Sequence, residues 1–157
     1  TLRATGLTCA MCSNVINKAL LKVPTVETVV SDIKNSSFRI VFKPGSQVNI
    51  DALKEAVGDA GFSVGGLQLT GDFSDVKLEK DNHIRIGKEN FHFLNGTGLS
   101  LNGEQVITVA DRNYIPEKQF KKWSASAKMS CVQTGKTASC CSKDGMGEGE
   151  RIYHVTI

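Results

Sequence analysis

The sequence has 157 residues, 40% of them hydrophobic, which suits one ordinary domain or two small ones with packed cores and excludes wholesale disorder. The formal net charge is only +3: seven Lys/Arg oppose five Asp/Glu up to residue 70, and twelve oppose eleven after it. Neither part has the concentrated basic surface of a nucleic-acid-binding protein, and no apolar run approaches the ~20 residues that cross a bilayer as a helix.

The first seventy residues alternate between strand and helix patterns. A short strand pattern opens the chain, and a helix pattern over 11–23 ends before Pro24. Its helical spacing predicts one buried stripe made of Val15, Ile16, Ala19, Leu20 and Val23. Strand patterns over 26–33 and 38–42 follow, and then a second helix that Asn49 can cap and Gly61 can end. A strand pattern over 63–70 completes the segment.

This order predicts an α+β, ferredoxin-like βαββαβ domain over residues 1–70, with an antiparallel sheet and both helices on one face. The loop between the first strand and the first helix then lies exposed at one end of the sheet. Cys9 and Cys12 both fall there, Cys9 in the loop and Cys12 about one turn into the helix. The unpaired amide groups and positive end of the helix favour thiolate over thiol, as both redox and metal chemistry require.

Several roles are open to such a Cys-x-x-Cys pair. A redox dithiol is expected within a thioredoxin-type order of elements, which the following residues do not provide. A structural zinc site needs four ligands, and this segment has no second Cys-x-x-Cys pair. An exposed two-thiolate clamp favours a soft ion, above all Cu(I), that a partner's thiolate can reach. An inert or air-oxidised pair is the remaining alternative.

Residues 3–69 resemble the heavy-metal-associated domain, the module of copper chaperones, copper-transporting ATPases and mercury carriers. The resemblance rests on Gly-Leu-Thr-Cys-Ala-Met-Cys-Ser at 6–13, Ala-Leu at 19–20 with Val-Pro at 23–24, and matching stretches at 53–57 and 59–62. It implies that Cys9 and Cys12 are the metal ligands. It covers less than half of the chain.

The resemblance also implies supporting roles around the two ligands. Thr8 matches the residue that shapes the loop, and Leu7 stands where Met is usual, which changes packing rather than ligation. Phe62 matches a position close to the metal where eukaryotic chaperones tend to carry Lys, so the match is closer to ATPase-type or bacterial modules. Met11 lies between the ligands and could offer a thioether as a third donor, although an exposed or loop-packing role is favoured.

Residues 72–157 do not repeat the first segment. Strand patterns over 76–79, 83–86, 90–94 and 104–110 precede a helix over 117–127, a further strand pattern over 129–133, and a last strand over 151–157. This order predicts a small β-rich domain, similar to a five-stranded barrel of the OB type. The resemblance is one of element order, so no OB-fold function is transferred.

Cys131, Cys140 and Cys141 frame a polar loop near the end of the chain, with Met146 and His154 following. One hypothesis is a second soft-metal site that receives Cu(I) from the first. The favoured alternative is a disulfide from Cys131 to one of the other two, closing a short loop. Two of the three histidines, His83 and His92, lie in alternating strand patterns, and each is expected to be a surface or partly buried strand residue rather than a ligand.

We therefore expect a two-domain metal-binding protein rather than an enzyme, because no catalytic constellation stands out. We expect the ion to be Cu(I), with Hg(II) or Zn(II) as alternatives, and we expect a partner such as a copper-transporting ATPase to exchange it through thiolates. The rivals are a thiol–disulfide oxidoreductase and a metal-sensing fragment of a larger transporter. The extra cysteines, and a start at Thr1 that is expected of a trimmed chain, favour the bacterial periplasm or cell envelope over the cytoplasm.

Overall fold

The computed structural model describes residues 1–7 and 9–157. The chain divides into two compact units, Thr1–Leu67 and Gln68–Ile157. Among the described residues, no helix has both the length and the apolar character needed to cross a bilayer.

The first unit has the βαββαβ order that the sequence predicts. Its elements are β1 (Leu2–Thr5), α1 (Ala10–Leu21), β2 (Val26–Asp32), β3 (Ser37–Phe42), α2 (Ile50–Asp59) and the start of β4 (Ser63–Lys77). The strands pair in the order β2-β3-β1-β4, and every pairing is antiparallel. The prediction of an α+β, ferredoxin-like first unit is confirmed.

The core of the first unit lies under the two helices. Ile16 and Leu20 of α1 are fully buried, as are Leu53 and Val57 of α2. Val15 is about half exposed, so the predicted apolar stripe is wrong at that residue. The reason is angular: successive residues of a helix lie 100° apart, so a fully buried Ile16 turns its neighbour towards solvent.

The cap of α2 is the one that the sequence predicts. The Asn49 side-chain oxygen accepts a hydrogen bond of 3.0 Å from the backbone N–H of Ala52. We expect Asn49→Ala to lower the free energy of unfolding of this unit by about 1 kcal/mol, because that amide then has no side-chain acceptor. Urea unfolding followed by circular dichroism measures the loss. Asn49→Asp keeps an acceptor and is the matched control; an equal loss in both variants would contradict the capping role.

The second unit is also α+β. Beyond the remainder of β4, its elements are β5 (His83–Ile86), β6 (Glu89–Phe93), β7 (Ser100–Val109), α3 (Glu117–Ser126), α4 (Ser130–Thr134), a 3₁₀ helix (Ser139–Asp144) and β8 (Ile152–Thr156). The strands pair in the order β4-β7-β8-β6-β5. All these pairings are antiparallel except that of β6 with β8, which is parallel.

The expectation of a closed OB-type barrel is wrong. β8 lies between β7 and β6, and this places β5 at one edge of the unit's sheet, where it pairs with β6. The sheet therefore stays open. The strand pattern over 76–79 overlaps only the end of β4, which stops at Lys77, and most of the pattern over 129–133 lies in α4 instead. A short apolar run such as Met-Ser-Cys-Val-Gln carries too few residues for its periodicity to separate helix from strand.

Candidate metal sites

The loop between β1 and α1 brings two sulfur atoms together at the start of a helix. Cys9 is the N-cap of α1, with an extended backbone, and Cys12 is the third residue of the helix. Their Sγ atoms lie 3.1 Å apart. Cys9 is exposed and Cys12 half-buried, so an ion held by both sulfurs stays open to solvent on the side of Cys9.

Two local features position this loop beside the sheet. Gly6 follows β1 with a φ of +84°, a left-handed conformation that glycine adopts without steric cost. The β1–β4 register pairs Thr5 with Ser63, so the next residues outward, Gly6 and Phe62, also face each other. An added Cβ at Gly6 would lie 3.8 Å from the Phe62 ring. Phe62 is therefore at the base of the cysteine loop.

The start of α1 carries no side chain that competes with a ligand for its backbone amide groups. The first turn of α1 contains no acidic residue, and no side chain caps its amide groups. The positive end of the helix is therefore free of a competing carboxylate. Among the supporting residues implied by the resemblance, Leu7 is half-buried and Thr8 lies outside the described residues. The Met11 side chain is 77% exposed, which matches the favoured exposed role rather than that of a third donor.

A second cluster of sulfur and nitrogen donors lies in the C-terminal unit. His83 on β5 is directly opposite His92 on β6, and His92 is directly opposite His154 on β8. The three histidines therefore form a row across three adjacent strands. All three are buried, so the surface or partly buried positions expected of His83 and His92 are wrong. The antiparallel β5–β6 pairing sets His83 beside His92, and the parallel β6–β8 pairing adds His154 to the row.

Cys131 of α4 and Cys141 of the 3₁₀ helix meet this row of histidines, and both are fully buried. The Sγ of Cys131 lies 4.0 Å from His83 Nε2 and 3.8 Å from His92 Nδ1. The Sγ of Cys141 lies 3.5 Å from His83 Nε2. Cys140 is half-buried, with its Sγ 3.6 Å from that of Cys141.

The histidine rings are oriented by carboxylates. His83 Nδ1 donates a hydrogen bond of 2.5 Å to Asp144, and His154 Nδ1 donates one of 2.7 Å to Asp111. The carboxylate on Nδ1 leaves His83 Nε2 as the atom that faces the two buried sulfurs. Within the described part of the chain, the Nε2 atoms of His92 and His154 have no hydrogen-bond partner.

Burial controls the protonation of this cluster. It lowers the pKa of His92 to about 3, with further contributions from the neighbouring histidines and Lys143. Burial raises the pKa of both Cys131 and Cys141. At Cys140, burial opposes ionisation, but hydrogen bonds from the Cys131 backbone and the Ser130 hydroxyl outweigh it and lower the pKa. His92 is therefore a neutral imidazole, the form that binds a metal.

All five cysteines are thiols in the described structure. The Cys131 disulfide stays a prediction, which a count of thiols in anaerobically prepared protein tests. Neither His83 nor His92 was predicted from the sequence to be a ligand, and the Asp144 carboxylate was not singled out. One signal was available: every histidine of the chain falls in a strand pattern of the same unit that carries three cysteines.

The ferredoxin-like fold and two neighbouring sulfurs, one exposed and one half-buried, indicate that the first unit is a metal-binding module. Residues 1–63 match the family model of the heavy-metal-associated domain, and this segment is such a domain. Modules of this family bind metals and are typically not catalysts. The match covers 63 of the 157 residues and leaves the second unit outside it.

One curated relative is the probable copper-transporting ATPase HMA5 of Arabidopsis thaliana, which is 35% identical over 57 residues. The aligned part is 36% of this chain and only 6% of that protein. No solved structure matches the chain significantly. The comparisons thus indicate heavy-metal binding by the first unit.

Proposed function

We propose that the first unit binds Cu(I) through Cys9 and Cys12 and hands it to a partner protein. The observation that carries this proposal is the pair of sulfurs 3.1 Å apart at the start of α1, one of them exposed. Two thiolates suit a soft ion that accepts low coordination, and Cu(I) fits this description better than Zn(II), whereas Hg(II) remains an alternative. The similarity to a probable copper-transporting ATPase supports the same choice.

The exposure of Cys9 supports transfer rather than storage. A two-coordinate ion with metal–sulfur bonds of about 2.3 Å keeps its sulfurs up to ~4.6 Å apart, so binding requires the two side chains to separate. An incoming thiolate then reaches the ion from the solvent side. It forms a third metal–sulfur bond, and one of the original cysteines leaves as the ion moves. A copper-transporting ATPase is the class of partner that this exchange suits, and the periplasm or cell envelope is the proposed compartment.

Anaerobic titration of the full chain with Cu(I), followed by alkylation and mass mapping, tests the binding step. We expect one equivalent of Cu(I) to protect Cys9 and Cys12 from alkylation at lower free Cu(I) than any other cysteine. Competition with Hg(II) and Zn(II) ranks the ions. A reduced chain whose Cys9 and Cys12 stay fully reactive at saturating Cu(I) would refute the proposal. Insulin-reductase turnover without such protection would instead favour the oxidoreductase alternative.

The kinetics of copper removal test the transfer step. If the partner's sulfur attacks first, the rate of removal by a thiol chelator should rise in proportion to chelator concentration. A rate independent of chelator concentration means that the ion leaves unaided, which is incompatible with the exchange described above. Serine in place of Cys9 and Cys12 together supplies the baseline, because that variant lacks both sulfurs of the loop.

A further inference from the structure

We propose that His83, His92, Cys131 and Cys141 form a second, separate metal site, which holds one Zn(II) ion in a closed tetrahedral arrangement and stabilises the C-terminal unit. This inference does not depend on the function proposed for Cys9 and Cys12. It concerns residues outside the heavy-metal-associated domain, and it replaces the earlier hypothesis of a soft-metal site made of three cysteines.

The spacing of the donor atoms fits one tetrahedral ion. Zinc–sulfur bonds of about 2.3 Å and zinc–nitrogen bonds of about 2.0 Å separate sulfur from nitrogen by ~3.6 Å around a tetrahedron. The three sulfur–nitrogen contacts of the cluster measure 3.5, 3.8 and 4.0 Å. The donor atoms of His83, His92 and Cys131 all lie within 4.8 Å of one another, and so do the sulfurs of Cys131, Cys140 and Cys141. Cys131 belongs to both groups, whereas Cys141 and His92 share neither, so closing the site requires the Cys141 sulfur and the His92 ring to move towards each other.

The surroundings of His83 have the form that metal-binding histidines require. Its Nδ1–H donates to the Asp144 carboxylate at 2.5 Å, which fixes the ring and leaves the Nε2 lone pair facing Cys131 and Cys141. A carboxylate on the far nitrogen is the usual partner of a histidine ligand. His92 offers Nδ1 to the same sulfur of Cys131, at 3.8 Å.

Charge and burial favour Zn(II) over Cu(I) at this site. All four ligand residues are buried, three of them completely. Two thiolates and two neutral imidazoles carry a total charge of −2. With Zn(II) the centre is therefore neutral, whereas with Cu(I) it has a charge of −1. An uncompensated charge is costly to bury, and four mixed nitrogen and sulfur donors are a common structural zinc set. On binding, the two thiol protons pass to solvent.

Cys140 stands outside the proposed ligand set and offers a matched control. It is half-buried, and its Sγ lies 3.6 Å from that of Cys141, 3.7 Å from the Ser130 hydroxyl and within 4.8 Å of the Cys131 sulfur. The histidine contacts of the cluster are instead made by Cys131 and Cys141. The same Cys→Ser change at neighbouring positions 140 and 141 therefore separates a ligand from a bystander.

A purely apolar role for the buried cysteines is the competing explanation. Cys131 and Cys141 pack with Val132, Met146 and Ile152 in one hydrophobic cluster. Under that explanation the thiols act as small apolar side chains, and metal ions leave the stability of the unit unchanged. If the site binds zinc, the imidazoles beside the sulfurs are ligands, and zinc stabilises the C-terminal unit because it binds only the native state.

The experiment uses the full chain with Cys9→Ser and Cys12→Ser, so that the first unit contributes no thiolate. The chain is stripped of metal under reducing conditions and titrated with Zn(II), and native mass spectrometry counts the bound ions. Trp123, the single tryptophan of the chain, reports thermal unfolding of the C-terminal unit. We expect one Zn(II) per chain and a rise in Tm of the order of 10 °C.

Cobalt and the two serine variants then identify the ligands. Co(II) in the same background should give intense visible bands, which report a tetrahedral ion. It should also give thiolate-to-metal charge-transfer absorption, which reports cysteine ligands. Further change of Cys141→Ser should weaken Zn(II) binding by more than about 100-fold, whereas Cys140→Ser should leave it within a few-fold. Circular dichroism checks that both variants fold, and the Co(II) spectrum tests thiolate ligation without relying on either variant.

Three outcomes would overturn the proposal. The first is a metal-stripped chain that binds less than one Zn(II) ion. The second is a Co(II) spectrum typical of six oxygen or nitrogen ligands. The third is an equal loss of Zn(II) affinity in the Cys140→Ser and Cys141→Ser variants. None of them bears on copper binding at Cys9 and Cys12, because the background lacks both of those sulfurs.

Discussion

A chain with Cys12→Ser is expected to bind Cu(I) at its N-terminal loop more than about 100-fold more weakly than the unaltered chain. Mutation of a residue that only orients a metal ligand typically lowers metal affinity ~10–100-fold. Loss of a ligand itself should therefore lower the affinity by more than that. Cys12 supplies one of the two sulfurs that lie 3.1 Å apart, and a serine hydroxyl is a poor donor to a soft ion. Protection of Cys9 from alkylation, measured in Cu(I) buffered by a competing chelator, gives the affinity at this loop alone.

Met11→Leu is the matched control for this measurement. Met11 lies between the two cysteines with 77% of its side chain exposed, so its thioether is not held near them. Leucine keeps a similar volume and removes the sulfur. We expect Cu(I) affinity to stay within a few-fold of the unaltered chain. A loss comparable to that of Cys12→Ser would make Met11 a third donor and would reverse the role favoured for it.

Asp111→Ala is expected to lower the free energy of unfolding of the C-terminal unit by about 3–5 kcal/mol. The buried Asp111 carboxylate accepts hydrogen bonds from the ring and backbone N–H of His154, at 2.7 and 3.3 Å, and from Arg151 at 3.0 Å. Alanine leaves these donors without their acceptor. Because such groups are largely removed from solvent, water replaces the carboxylate poorly. Urea unfolding followed by Trp123 fluorescence measures the loss in this unit.

Asp111→Asn separates hydrogen bonding from charge. Asparagine keeps one acceptor oxygen for His154 but removes the negative charge beside Arg151, so an intermediate loss is expected. Arg151 also donates to the backbone oxygen of Gly135 at 3.0 Å and lies over the Tyr153 ring, which limits the penalty for this arginine. If Asp111→Ala is as stable as the unaltered chain, the hydrogen bonds from His154 and Arg151 to the Asp111 carboxylate do not stabilise the unit.

The fold of the first unit was largely predictable because its signals are local. Asn49 caps α2 through an amide three residues away, and the apolar spacing of each helix reports the face that it buries. Val15 was wrongly predicted to be buried because it is apolar and directly precedes Ile16, which belongs to the buried face. Cys9 and Cys12 were found because they are three residues apart on one loop, although their role as copper ligands stays a prediction.

The second unit was harder to predict because its decisive contacts are distant in the chain. Its strands were mostly located, but their pairing was not, since element order leaves the partner of β8 undetermined. The parallel pairing of β8 with β6 sets His154 beside His92, 62 residues earlier, and strands 90–94 and 151–157 carry no signal for that register. The cysteines of α4 and the 3₁₀ helix reach the histidines only after this sheet has formed.

The central place of β8 in its sheet has a consequence for synthesis of the chain. β8 follows β4, β5, β6 and β7 in the chain, yet it lies between β7 and β6. At the usual ~5–20 residues per second, a ribosome needs several seconds to advance from the end of β6 to β8. During that interval the β6 edge that β8 later covers stays open and prone to aggregation, so chaperones that shield emerging chains should raise the yield of folded protein.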